Sequence, residues 1–400
     1  ENFLNMVEWI DEIKVRASMG KTGTQSIGDH MWRTLYSPVS YGDKNALIPT
    51  QLGNDKIKWE STVQKDLGLD FSFMRGRLGG TFGYYHKVTD GTLLNMTPAP
   101  SSSYSTVVFN IAKIRNRQGL EFDIHGDFIR KKDFRWTGNL NISRNVSKVL
   151  DINGGPFSDP NDRDAMNLGT SVVKEGEPLG LLYGRVATGI IKTQAQLEAA
   201  REEFSLWTIF DPYLNLGDIA YEYEDGFWKE DVIGHATPDF FGGYTNTINW
   251  NRFTLTALFT FSYGNDLIYQ KDVSDSGMSS LANRGTRVLN HYSEDNTSSN
   301  RPRSMWATTY MLSSLNVYDA SYLKLKTLSL SYNLPESICR KVRIKSASVY
   351  GTATNVFTIT SYPGPDPEVS DDPTSVIGGG RDVSTYPTVK SYTFGIRINF

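Results

Sequence analysis

Apolar and polar residues alternate through the last ten positions of the chain. Tyr392, Phe394, Ile396, Ile398 and Phe400 fall on one face of an extended strand, and Ser391, Thr393, Gly395, Arg397 and Asn399 on the other. A wall between lipid and water needs one greasy and one polar face, but a soluble sheet resting on a core shows the same alternation. The pattern recurs upstream. Leu67, Leu69, Phe71 and Phe73 alternate with acidic and small residues, as do Leu120, Phe122, Ile124 and Phe128, and Trp136, Leu140 and Ile142. The longest greasy face runs Phe253, Leu255, Ala257, Phe259, Phe261, Tyr263. Roughly eleven strands are expected.

The connectors decide between the two walls. Met74–Arg77, Arg130–Asp133 and Asn249–Arg252 are short, whereas 22–56, 150–177, 269–318 and 361–390 are long. Short turns at one end and long loops at the other are the asymmetry of an outer-membrane barrel. A sandwich, such as a secreted or surface β-rich glycan-binding module, does not require it. The expected fold is therefore all-β, an antiparallel transmembrane β-barrel. One segment from Thr193 to Phe204 departs from it, with helix formers behind a Thr193 N-cap.

Composition permits this. Hydrophobic residues make up 39% of the 400 residues, mean hydropathy is −0.38, and no run of 18 apolar residues occurs, which excludes membrane-spanning helices but not spanning strands. The 21 Tyr and 20 Phe suit interfacial girdles. A net charge of −3 leaves no footprint for nucleic acid. Cys339 alone allows neither an internal disulfide nor a cysteine-based zinc site, and its polar stretch reads as a turn. No initiator Met precedes Glu1, so a mature form or a piece of a longer chain is expected.

Chemistry is sparse. The five histidines lack metal-ligand spacing, and Gly378-Gly379-Gly380 lacks a flanking strand and helix. His125, with Glu121, Asp123 and Asp127, fits a hydrated wall better than an acid–base cluster. No catalytic, cofactor or metal residue is assigned. The substrate-contact candidates are loop aromatics and cations: Trp207, Trp228, Tyr292, Arg301, Arg303 and Trp306, with Tyr310, Asn290 and Asp295 beside them. Aromatic faces stack on sugars, and Asn, Asp and Arg bond hydroxyls or peptide carbonyls.

Several motifs match one family in order along the chain. Ser321–Lys326 through Tyr332-Asn333-Leu334-Pro335 resembles the "SYLRLK…LSLSYxLP" signature of SusC/RagA-type TonB-linked outer-membrane proteins. Tyr350–Tyr362, Asp366-Pro367-Glu368 and Tyr386-Pro387 match its closing motifs, and Arg16–Gly23, Lys58-Trp59-Glu60, Tyr84–Lys87 and Asn110–Glu121 its earlier ones. The resemblance implies a 22-stranded barrel with an N-terminal plug and a TonB box, in the outer membrane of Bacteroidota. It also implies import of oligosaccharides or oligopeptides under a SusD-like lipoprotein lid, driven by TonB. About half those strands are present, so residues 1–400 are expected to be the C-terminal part of such a barrel, without plug or TonB box; a complete twelve-stranded barrel is the rival. Phe400 would be the aromatic end read by the barrel-assembly machinery. A siderophore-type TonB-dependent receptor, which has no such lid, is the other alternative. One departure stands out: Gly217-Asp218-Ile219 leads into Tyr221–Gly226, where aromatics replace the spaced oxygens of a calcium loop.

Overall fold

The alternating segments form ten long strands of one antiparallel sheet in a computed structural model, which describes residues 9–24, 29–96, 104, 107–152, 165–203, 214–277, 283–304, 310–371 and 379–400. We number these strands β1 (Ile10–Thr24), β2 (Glu60–Phe73), β3 (Leu78–Met96), β4 (Val107–Arg130), β5 (Phe134–Asp151), β6 (Phe240–Trp250), β7 (Phe253–Tyr263), β8 (Tyr322–Asn333), β9 (Ser346–Thr360) and β10 (Ser391–Asn399). Each pairs with the next in chain order, so the sheet is an unbroken up-and-down meander. Ten strands stand against the roughly eleven expected.

Register turns the alternation of each strand into two continuous surfaces. One row crosses nine strands as Val15, Leu69, Phe82, Phe122, Ile142, Gly242, Phe261, Leu323 and Ile359. The adjacent row, one residue away, runs Lys14, Asp70, Thr81, Asp123, Asn141, Gly243, Thr260, Lys324 and Thr358. A slip of one residue in any strand would mix the two faces. The apolar face is open: Val15 is 69% exposed, Phe82 40%, Leu330 50% and Ile359 62%. Water does not tolerate an apolar patch running across a whole sheet, and a sandwich would have buried it under a second sheet. The surface is built to meet lipid. No helix among the described residues is long and apolar enough to cross a membrane.

Aromatic pairs mark both edges of this band. Trp250–Phe253 (6.3 Å between ring centroids), Phe253–Tyr332 (4.8 Å) and Trp9–Phe73 (5.4 Å) lie at the short-turn end. Phe240–Tyr263 (5.1 Å) lies at the other. Phe253 and Tyr263 are ten residues apart, roughly 33 Å along the strand and about 25 Å across the membrane at barrel tilt.

Most of the buried core of the described residues sits at the loop end of the sheet. Val107 of β4 and Val149 of β5, near the ends of their strands, cluster with Ile152, Met166, Val173 and Leu179, and Leu267, Ala320, Tyr362 and Val369 cluster beyond β7–β9. The β5–β6 connection builds a four-stranded sheet from Ala165–Asn167, Ser171–Lys174, Leu181–Arg185 and Glu230–His235. It also carries α1 (Gln194–Glu203). Thr193 caps α1 as expected, with Gln196 N–H donating to its hydroxyl at 3.2 Å and Thr193 N–H donating back to Gln196 Oε1 at 3.1 Å. The β7–β8 connection holds the pair Asp266–Tyr269 and Val317–Asp319 and α2 (Gln270–Gly277). Arg381–Asp382, from the β9–β10 connection, adds a parallel strand to that pair. Cys339 is not in a turn: it is buried in α3 (Glu336–Lys341), between β8 and β9.

Candidate functional site

The long-loop end is tied together by buried ion pairs, each joining segments distant in sequence. The first is built on Gly217-Asp218-Ile219. Asp218 is buried and accepts Arg303 Nε at 2.7 Å and Nη2 at 3.1 Å, Tyr310 OH at 2.9 Å and the Asn215 amide at 2.7 Å. Burial and the adjacent Asp218 carboxylate keep the Tyr310 hydroxyl protonated far above the ordinary phenol range. Gly217 has φ of +89°, and a Cβ there would lie 2.4 Å from the Tyr292 ring and 2.9 Å from Arg303 Cβ. Gly217→Ala is therefore expected to destabilise this node by about 1–3 kcal/mol, read as faster proteolysis of the 283–304 segment with the barrel left intact.

The stretch that departs from a calcium loop is a tight hairpin. Tyr223–Glu224 pairs with Phe227–Trp228 across Asp225 (φ 52°) and Gly226 (φ 82°), the positive-φ pair that an Asp-Gly two-residue turn supplies. Asp218 is engaged by a guanidinium, and among the described residues no group of three or more His, Cys, Asp or Glu is placed to hold a metal.

The second node borders a cleft of about 550 Å³ lined by the β7–β8 connection, with Ile219 from the β5–β6 connection. Asp272, in the first turn of α2, is buried and accepts Arg301 Nη2 at 2.7 Å, Arg287 Nη1 at 3.4 Å and Tyr318 OH at 2.6 Å. Arg287 lies over the Tyr318 ring at 5.2 Å. Asn290, Asn300, Pro302 and Leu315 complete much of the wall. The cleft combines cations, amides and an aromatic face.

The third node fastens the β9–β10 connection to the polar face of the sheet. Lys324 of β8 is fully buried and donates to Asp366 at 2.9 Å and Glu368 at 2.5 Å; Lys326 also reaches Glu368, at 2.8 Å. The Thr388 hydroxyl donates to Asp366 from the far end of the same connection. Asp366-Pro367-Glu368, singled out in the sequence as a motif, is thus an anchor.

The substrate-contact candidates divide. Arg301 and Asn290 line the cleft. Arg303 and Tyr310 serve Asp218. Tyr292 is buried against Ile190 and Ile219, and Trp228 lies under the Arg185 guanidinium at 4.1 Å. Asp295 is exposed. Trp207 and Trp306 lie outside the described residues. Asp272 and Arg287 carry no sequence signal, because their partners arrive from other segments. His125 stands on the polar face 3.8 Å from Asp123, both half exposed. A second concavity of about 550 Å³ on that face lies between Arg16, Asp66, Glu121 and Asp123.

Comparison with known proteins places this architecture. The family described as TonB dependent receptor-like, beta-barrel matches residues 5–257. TonB-dependent receptor P3 of Formosa agariphila is 32% identical over all of this chain and 40% of its own length. TonB-dependent receptor SusC of Bacteroides thetaiotaomicron is 26% identical over all of this chain and 39% of its own. The chain thus spans about 40% of the length of the curated relatives it matches. The structure of the RagAB peptide transporter superposes on the whole chain with a TM-score of 0.78 at 23% identity, over 42% of that chain, and so shares its fold. With its ten-stranded meander, lipid-facing band and folded loop end, the chain belongs to the TonB-dependent receptor β-barrel family of outer-membrane proteins.

Proposed function

We propose that this chain forms part of the wall and outer loops of a TonB-dependent importer that takes up oligosaccharides or oligopeptides with a SusD-like lipoprotein. The observation that carries the proposal is the division of labour along the strands: an open apolar band where lipid would be, and at one end only, folded loops enclosing a polar, aromatic-lined cleft. The relatives are named as TonB-dependent receptors, and a structural neighbour is named as a peptide transporter; the oligosaccharide class and the SusD-like lipoprotein come from the family resemblance of the sequence motifs. In a bilayer the outer edges of β1 and β10 need hydrogen-bonded partners, so we place these ten strands as a section of a larger closed barrel. Phe400, exposed beyond β10, keeps the assembly role that the resemblance gives it.

Uptake is the test. Cells with and without the protein are fed fluorescent oligosaccharide and oligopeptide pools, with and without a protonophore. Uptake of one pool should require both the protein and the proton gradient, and a SusD-like lipoprotein should co-purify in detergent. Gradient-independent or unchanged uptake would refute the importer, and siderophore-dependent growth as the sole phenotype would replace it with the lidless receptor class.

A further inference from the structure

The outward face of the sheet changes character at its outer aromatic edge, where basic residues replace apolar ones. We propose that this zone of β1–β5 binds the phosphate groups of a lipid in the outer leaflet, with Lys65 and Arg144 as the leading contacts. The site lies on the lipid side of the wall and is independent of what the barrel imports. Register places the groups. Ala17, Leu67, Tyr84, Leu120 and Arg144 form one outward row. Arg144 follows Ser143, the partner of Phe241, and so stands level with the aromatic edge at Phe240 and Tyr263. One row higher, Lys65 pairs directly with His86 on one side and Met19 on the other. The next row starts at Lys21 of β1 and ends at Lys148 of β5.

These three rows hold no carboxylate, and Asp90 enters the face only two rows above Lys65. Lys21, Lys65 and Arg144 are exposed, and among the described residues no ion pair engages any of the five basic groups. The polar face of the same strands is built differently: there Arg16 meets Asp70 at 2.7 Å and Arg135 meets Asp127 at 2.8 Å. An ordinary hydrated surface mixes both signs, so a one-sign zone calls for an outside anion. Lys65 and His86, opposed across two strands at about 5 Å between Cβ atoms, gain nothing from each other, and a phosphate between them would accept from both. Arg144 lies one row and two strands from His86, about 12 Å away, within reach of a headgroup that carries two phosphates. Acyl chains of the same lipid would run down the apolar band directly below, over Leu67, which is 52% exposed, Leu69 and Phe82.

Lipid retained from mixed detergent micelles by the immobilised protein that carries this chain tests the site. The probes are lipid A with both phosphates, the same lipid dephosphorylated, and inorganic phosphate. The phosphorylated lipid should bind at least about tenfold tighter than the dephosphorylated one, the scale of one charge-assisted bond. Raising salt from about 50 to about 500 mM should shrink that preference, and inorganic phosphate at the same concentration should not displace the lipid. Lys65→Gln combined with Arg144→Gln should abolish the preference, with heat-modifiable gel mobility showing the barrel intact. Lys14→Gln removes a cation of the polar face, in register with Asp70, and should leave the preference unchanged. Equal retention of the two lipids, a preference that survives the double variant, an equal loss with Lys14→Gln, or displacement of the lipid by inorganic phosphate would overturn the proposal.

Discussion

Lysine in place of Phe82 should cripple insertion, while lysine in place of its neighbour Thr81 should be nearly silent. Phe82 lies in the apolar row between Leu69 and Phe122, four residues from the turn-end Leu78. That places it roughly 13 Å along the strand and about 10 Å across the membrane at barrel tilt, well inside a band about 25 Å tall. A lysine there is expected to cost roughly 2–4 kcal/mol. Thr81 projects to the opposite face, in register with Asp70 and Asp123, so its lysine would meet two carboxylates in a hydrated setting. The expected change is within about 0.5 kcal/mol. Urea titration of the membrane-inserted protein, followed by heat-modifiable gel mobility, reads both variants on one scale. Equal losses would mean that the two faces are not lipid and water.

Lys324→Met should release the β9–β10 connection. Lys324 is 1% exposed and Asp366 3%, so removing the ammonium leaves a buried carboxylate without its cation, a change worth about 3–5 kcal/mol. Glu368 keeps Lys326, which makes Asp366 the orphan, and adding Asp366→Asn to Lys324→Met should recover part of the loss. Protease cutting within 361–390 measures it. Acid should mimic the variant. Burial alone would raise both carboxyls, but for Asp366 the Thr388 hydroxyl, the Glu368 amide and Lys324 outweigh it, and for Glu368 the bonds from Lys324 and Lys326 do. Groups whose folded pKa is lowered stabilise above their unfolded value and lose that contribution as pH falls through the folded one. The connection should therefore stay anchored at neutral pH and loosen only below about pH 4.

Much of the wall was legible because its signal is local. Period-two alternation, short connectors such as Asn249–Arg252 and the Thr193–Gln196 cap each lie within a few residues, and each appears as read. β10 taken by itself was ambiguous, since a greasy face looks the same against lipid as against a core; the asymmetry of the connectors pointed to lipid, and its pairing with β9 joins it to the open apolar sheet. The loop end was less legible for a physical reason. Loop aromatics are ordinarily read as exposed contacts, but here the loops carry the protein's own core, so Tyr292 is packing and Trp228 is a platform for Arg185. Asp272 and Arg287 meet across 15 residues, and Arg301 joins Asp272 across 29. Charge is visible in a sequence, but which charges meet is decided by folding.

The central claim is that one face of these strands meets lipid and the other water. Nitroxide labels placed singly at each position from Phe253 to Tyr263 test it most directly, by relaxation with oxygen, which concentrates in lipid, and with a water-soluble nickel chelate. Phe253, Leu255, Phe259 and Phe261 should favour oxygen, and Thr254, Thr256, Thr260 and Ser262 the chelate, in strict alternation. Chelate access to both faces, or burial of the odd-numbered positions from both reagents, would contradict a membrane-spanning wall.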